Sequence, residues 1–307
     1  MSNDAFYHQP VLLQECIEAL DIRPDGVYLD ATFGGGGHSK EILKKLGPKG
    51  KLIVFDQDED AKRNVPDDER VIFVQENFRY ANRFVRMYKL KLNGVLADLG
   101  VSSYQFDTAE RGFSIRFDAA LDMRMDHRSP LTATKILNTY SEKRLHELFE
   151  QYGEVTNAKT LAKKIVDTRG KMKITTINEF KQAIDGLMYG NQHKYLAQVF
   201  QALRIEVNDE MNALKEFLAT ITDSLDEKGR LVLITFHSLE DRIVKQWMKN
   251  ETFEEDTFSF TPDKKQKLLE TVTKKPILPT QTEQKENTRS RSAKLRVAEK
   301  KESPAKA

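Results

Sequence analysis

Val27-Tyr28-Leu29-Asp30-Ala31-Thr32-Phe33-Gly34-Gly35-Gly36-Gly37-His38-Ser39 is the stretch from which the fold is read. A short apolar run ends in an acid and four glycines follow. Residues 39–46 then take up helical spacing until Gly47-Pro48 closes it. This is a strand, a turn and a helix in succession. Glycine lets the backbone adopt positive φ and pass close to a ligand. The helix start leaves backbone N–H groups without intrahelical partners. Two readings fit the glycine run: a tight strand-to-helix turn, or a loop that cradles a cofactor.

Working outward, the same grammar repeats. Leu52-Ile53-Val54-Phe55 ends in Asp56, Val71-Ile72-Phe73-Val74 stands alone, and Val95-Leu96-Ala97 ends in Asp98. Short apolar runs bounded by turn residues are the mark of buried parallel strands. With helices between them they predict a doubly wound α/β sheet. Asp30, Asp56 and Asp98 would then all lie on the rim formed by the strand C-termini, where open α/β sheets bind ligands. Asp56 can accept hydrogen bonds from ribose hydroxyls, or it is a solvated strand-end acid. Gly34 and Gly36 fit the dinucleotide spacing, but Ser39 stands where the third glycine belongs. An acid four residues before the first glycine suits an adenosyl cofactor with a sulfonium better than a pyrophosphate. Asp98, Ser102 and Ser103 are candidates for the reacting region.

The middle of the chain changes character. Leu145, Leu148, Phe149 and Tyr152 keep helical spacing behind Ser141, a potential N-cap, and Phe180, Ile184, Leu187 and Met188 do so behind Asn178. Residues 132–208 are expected as an all-helical insertion. A helix over 211–225, a turn at Glu227-Lys228-Gly229 and a strand over 231–236 then return to the sheet. Residues 1–131 and 209–307 would therefore make one discontinuous domain. Between Asp98 and the insertion runs a long loop with Arg111-Gly112-Phe113-Ser114 and Leu121-Asp122-Met123-Arg124-Met125-Asp126. Arg111 and Arg124 offer charge for phosphate, and the aromatic rings a face for stacking bases. Met123 and Met125 are expected to pack.

The sequence of 307 residues carries 49 Lys+Arg against 47 Asp+Glu, so no overall charge points to a polyanion. The balance is uneven, however. Residues 285–301 hold seven cations and two Glu, while Glu251, Glu254, Glu255 and Asp256 make an acidic turn before them. Arg289, Arg291, Lys294 and Arg296 read either as a solvated tail or as an RNA contact. The single Cys16 excludes an internal disulfide and a multi-cysteine zinc site, and His8, His38 and His237 form no spaced metal motif. His237-Ser238 lacks a nucleophile elbow, which argues against a serine hydrolase. Met1 to Asp4 lack the basic and apolar regions of a signal peptide, and no apolar run is span-length, so a cytoplasmic protein is expected.

The ordered motifs resemble the bacterial small-subunit ribosomal RNA (cytosine-4-amino) methyltransferases, the RsmH or MraW family. The matching stretches are residues 8–13, 30–39, 98–105, 111–114, 121–126, 152–154, 200–210 (FQALRIEVNDE), 236–245 (FHSLEDRIVK) and 289–297 (RSRSAKLRV). The resemblance implies a Rossmann-like S-adenosylmethionine-dependent methyltransferase sheet, with an all-helical insertion domain as the RNA-recognition part. It implies S-adenosylmethionine as cofactor and methylation of a cytosine 4-amino group in the decoding region of 16S ribosomal RNA. By motif, cofactor contacts fall on Gly36, Gly37, His38, Asp56, Phe78, Asp98 and Gln105. Of these, Phe78 is singled out by the resemblance alone. One departure stands out: Lys194-Tyr195-Leu196-Ala197-Gln198-Val199 replaces a His-Pro-Ala-Thr-Arg type segment, so Gln198 stands in place of an Arg.

The residues alone leave three activities open. One is RNA methylation, one is methylation of an amine in DNA or protein, and one is noncatalytic RNA binding during ribosome assembly.

Overall fold

The computed structural model describes residues 10–188, 190–253 and 267–302. His8 and Gln9, Met1 to Asp4, the acids at 254–256 and the chain end at 303–307 lie outside the described residues. The strands are β1 (Val27–Asp30), β2 (Lys51–Phe55), β3 (Val71–Val74), β4 (Leu92–Asp98), β5 (Leu225–Thr235), β6 (Leu269–Thr271) and β7 (Lys294–Lys300). The helices are α1 (Leu13–Ala19), α2 (Gly37–Lys45), α3 (Ala81–Met87), α4 (Ser103–Asp107), α5 (Ala133–Thr139), α6 (Glu142–Gly153), α7 (Ala158–Arg169), α8 (Ile177–Ala183), α9 (Gln192–Asn208), α10 (Glu210–Ser224), α11 (Ser238–Asn250) and α12 (Gln281–Glu286).

The chain folds as two compact units, one formed by Met1–Gly100 with Met211–Ala307 and the other by Val101–Glu210. The first holds a sheet in the order β3-β2-β1-β4-β5-β7-β6. Strands β1 to β5 run parallel, whereas β7 is antiparallel to both β5 and β6. The chain moves outward from β1 to β2 and β3, then crosses back to β4 and β5. That reversal puts a ligand crevice at the C-terminal ends of β1 and β4. Alternation covers both faces of the sheet. Leu52, Val54, Leu96, Val232 and Ile234 pack with Cys16, Ile17, Ile42 and Leu43. Ile53, Phe55, Val95, Leu231 and Leu233 pack with Phe217, Leu218, Ile221, Val244 and Trp247. The expected turn at 227–229 lies within the bounds of β5, where Lys228 has φ +60° and the register against β4 shifts.

The second unit is built on helices. Ser141 caps α6, and Thr176 and Glu179 form a capping box on α8. That helix stops at Ala183, earlier than the spacing of Leu187 and Met188 suggests, because Gly186 turns the chain with φ +81°. The unit is also larger than residues 132–208. Phe113, Leu121, Met123 and Met125 from the preceding loop sit in the same core as Leu145, Phe149 and Phe180. Backbone bonds tie that loop down: Met123 N donates to Arg111 O (3.0 Å) and Leu121 N to Thr175 O (3.0 Å). Gly112, at φ +73°, cannot be replaced without cost, since a Cβ there would lie 2.4 Å from Ala120 O.

Candidate active site

The loop after β1 is braced by the acids at the strand ends. Asp30 accepts from Thr32 N (3.1 Å) and from Ser39 Oγ (2.7 Å), so it supports the glycine turn from beneath. Asp56 accepts from Gly34 N (2.7 Å) and Asp58 N (2.9 Å). Asn64 Nδ2 donates to Gly34 O (2.9 Å). Gly36 has φ +73° and is the N-cap of α2. A Cβ on Gly37 would meet Pro10 Cγ at 2.2 Å, so part of the glycine requirement is internal packing. A Cβ on Gly35 would meet nothing within 4 Å, which leaves open space above the loop.

The electrostatics of this rim are unusual. Burial pushes Asp56 up to about 7 and Asp30 up to about 6, despite the bonds each accepts. Asp98 is raised well above the ordinary carboxylate value by burial, then by the charges of Asp30 and Glu240. Burial also lowers His38 to about 4. Its Nε2 lies 3.1 Å from Val11 O, which fixes the ring proton there and leaves Nδ1 as an acceptor, 3.9 Å from Asp98 Oδ2. Asp98 N donates to Thr32 Oγ1 (2.7 Å), while its Oδ1 is buried without a hydrogen-bond partner among the described residues. Three acids held against burial, one with an unmet oxygen, suit a cationic ligand. Phe78 follows β3, half-buried, with its ring edge-on to Phe217 (centroids 5.2 Å apart).

Of the expected cofactor residues, Gly36, Gly37, His38, Asp56, Phe78 and Asp98 all belong to the sheet unit, and Gln105 belongs to the helical unit. Ser102 and Gln105 make a capping box on α4. Ser102 Oγ accepts from Gln105 N (3.2 Å) and Gln105 Oε1 from Ser102 N (3.1 Å). The structure thus gives the Ser102 hydroxyl a helix-capping task.

Of the arginines expected to meet RNA, Arg111 and Arg296 are buried and Arg124 is held by its own loop. Arg111 is buried and donates to Arg124 O (2.9 Å), clamping the long loop from inside. Arg124 spends its nitrogens on Asp122 (2.8 and 2.7 Å), His127 O (3.0 Å) and Ser129 O (2.9 Å). A signal for this was present in the sequence. Asp68-Glu69-Arg70, Asp122-Met123-Arg124 and Asp126-His127-Arg128 share one Asp-x-Arg turn, in which the acid takes the arginine's backbone N–H and its guanidinium. Arg296 belongs to β7, is buried and pairs with Asp241 on α11 (Nε to Oδ1 2.6 Å), which Lys294 also reaches (3.1 Å). Residues 294–300 are therefore a sheet strand and no free tail. Arg289 is half-buried, and Arg291 is exposed. Gln198, in place of the family's Arg, donates to Glu154 O (3.2 Å) within the helical unit.

The model of the MraW methylase family matches residues 5–301 of the chain. The chain belongs to the MraW methylase family. Similar proteins carry the name Ribosomal RNA small subunit methyltransferase H. That of Flavobacterium psychrophilum is 53% identical over 295 residues, covering 94% of this chain and 100% of its own. That of Bacteroides fragilis is 52% identical over 298 residues, covering 96% and 98%. That of Bacteroides thetaiotaomicron is 53% identical over 298 residues with the same coverage. The sheet of this MraW methylase is a Rossmann-like methyltransferase sheet, and the glycine loop, Asp56 and Asp98 stand at the C-terminal ends of its strands. No helix among its described residues is long and apolar enough to cross a membrane.

Proposed function

We propose that this MraW methylase transfers a methyl group from S-adenosylmethionine to the exocyclic 4-amino group of a cytosine in the decoding region of 16S ribosomal RNA, within the small ribosomal subunit and in the cytoplasm. The observation that carries the reading is the rim of three acids raised by burial, with Asp98 Oδ1 left without a partner. A sulfonium cofactor with an ammonium end supplies the positive charge such a rim lacks. The open position at Gly35 gives its backbone approach room.

Gly36, Gly37, His38, Asp56, Phe78 and Asp98 would hold the cofactor, with Gln105 as a further contact. When bound, S-adenosylmethionine supplies the methyl group. The amine of cytosine is a poor nucleophile because its lone pair is delocalised into the ring. The protein's task is to fix the target amine in line with that group, and positioning of this kind lowers a barrier by about 7–11 kcal/mol. The target base must also be unstacked, at a cost of a few kcal/mol. Exposed Arg291, with half-buried Arg289 and exposed Lys285 before it, is placed to meet RNA phosphate in this reading.

The reading is tested with methyl-labelled cofactor and small subunits from cells lacking this gene. Label is expected on the 4-amino group of one 16S cytosine, located by mass spectrometry of the digested RNA. Label in DNA or protein instead, or none, would overturn it.

A pH dependence follows from Asp56. Its carboxyl is protonated in part at neutral pH in the free protein, and its ionised form is the one that accepts from ribose hydroxyls. Burial of this acid costs the fold nothing below about pH 4, where folded and unfolded chains are both protonated. The cost is complete above about pH 7. The ionisation of Asp56 is expected to raise cofactor affinity with pH, by up to about tenfold per unit for this group below pH 7. Asp56→Ala should lose about 1.5–3 kcal/mol of binding for each charged hydrogen bond removed. Calorimetry finding wild-type affinity in a folded Asp56→Ala protein would refute the assignment.

A further inference from the structure

His237 stands at the end of β5 as the N-cap of α11, and its Nδ1 accepts from Glu240 N at 3.4 Å. In the neutral ring that bond places the proton on Nε2 and makes it a donor. Only 9% of the side chain is exposed, yet Nε2 has no hydrogen-bond partner among the described residues. Glu240 Oε1 lies 3.1 Å away but outside hydrogen-bond geometry, and Glu240 Oε2 is taken by Phe236 N (2.8 Å). A buried donor left unmet is costly, so its retention at a ligand rim points to a ligand acceptor.

The position supports this. Asp98 pairs with Ile234 across β4 and β5, and Leu99 N donates to Ile234 O (3.0 Å). Phe236 is level with Gly100, whose added Cβ would lie 3.6 Å from the Phe236 ring. His237 therefore belongs to the same strand-end rim as Asp98. Glu240, one turn into α11, is close enough to raise the Asp98 carboxyl.

We propose that His237 is a specificity-determining residue that reads the target base, its Nε2–H donating to the acceptor ring nitrogen N3 beside the amine of cytosine. Uracil carries an N–H at that place, so donor would face donor and the base would be rejected. The contact fixes the plane of the ring and leaves the 4-amino group free to react. It rests on the reading that a cytosine amine is the acceptor.

His237→Asn tests it, because asparagine keeps an N-capping oxygen near the place of Nδ1 and removes the donor at Nε2. His237→Gln restores an amide N–H near Nε2. On small subunits lacking the modification, His237→Asn is expected to lose about 10–100-fold in kcat/KM. Its melting temperature and its affinity for S-adenosylmethionine should stay at wild-type values, and His237→Gln should recover most of the loss. A wild-type kcat/KM for His237→Asn would overturn the proposal. So would a matching fall in stability or cofactor affinity, which would make His237 a cap and nothing more. If wild-type protein labels the cytosine amine and His237→Asn is unimpaired, only this inference fails. If wild-type protein labels no cytosine, the functional reading fails with it.

Discussion

Replacing Arg296 by glutamine is expected to destabilise the fold by about 3–5 kcal/mol, the cost of leaving a buried charge without its partner. Arg296 lies on β7 between β5 and β6, with Nε 2.6 Å from Asp241 Oδ1 and a terminal nitrogen 3.2 Å from Oδ2. Burial alone would push the Asp241 carboxyl up, but the bonds from Arg296 and Lys294 outweigh it and hold the acid below its ordinary range. A depressed carboxylate contributes stability above its unfolded value and loses it as pH falls, so the pair fastens β7 to α11 at neutral pH. Lys294, half-buried at the strand edge, cannot cover the acid alone. Arg291→Gln, on an exposed side chain, should stay within about 0.5 kcal/mol of wild type. Denaturant titration of both variants at pH 7 separates the cases. An Arg296→Gln protein as stable as wild type, with a weaker salt dependence of RNA binding, would restore the tail reading.

That contrast shows where the sequence was legible. The strand-end acids could be read because each follows an apolar run, and an acid there has few uses inside a core. The glycine loop could be read because four glycines in a row weaken any helix or strand and so mark a turn. Arg296 could not be read from a charge count. Leu295-Arg296-Val297-Ala298 is a strand whose alternation is masked by the cations around it, and only the placement of Asp241 shows that one of them points inward. The loop before the insertion was misjudged for a related reason. Arg111 looks like an RNA contact by residue type, but its partner is a backbone carbonyl, which carries no signature in a sequence, whereas the Asp-x-Arg spacing of Arg124 was there to be read. His237 shows the same limit. Its place after an apolar run is visible, but the missing partner of Nε2 is a property of three dimensions.

Asp98→Asn is expected to reduce kcat/KM for the cofactor by roughly 10²–10⁴-fold, equal to about 3–5 kcal/mol for removing one member of a buried charge pair. Asparagine keeps the shape and an acceptor oxygen but cannot ionise. The fold should survive, because the backbone bond from Asp98 N to Thr32 Oγ1 does not involve the substituted group. In the free protein burial and neighbouring acids keep the Asp98 carboxyl well above its ordinary range, which favours the protonated form. A bound cation reverses that preference, so binding should release a proton that the variant cannot supply. The released proton is measurable as a buffer dependence of the binding enthalpy. If Asp98 serves the cofactor, single-turnover methylation at saturating S-adenosylmethionine should run near the wild-type rate. If Asp98 instead accepts a proton from the target amine, the defect should persist at saturation, because an interaction made in the transition state is lost. The unpartnered Oδ1 is compatible with either role by geometry. The surroundings favour the first, since burial and the charges of Asp30 and Glu240 all disfavour an ionised Asp98 until a cation sits beside it. A large rate defect that survives saturating cofactor would therefore reject the cofactor role and make Asp98 the proton acceptor.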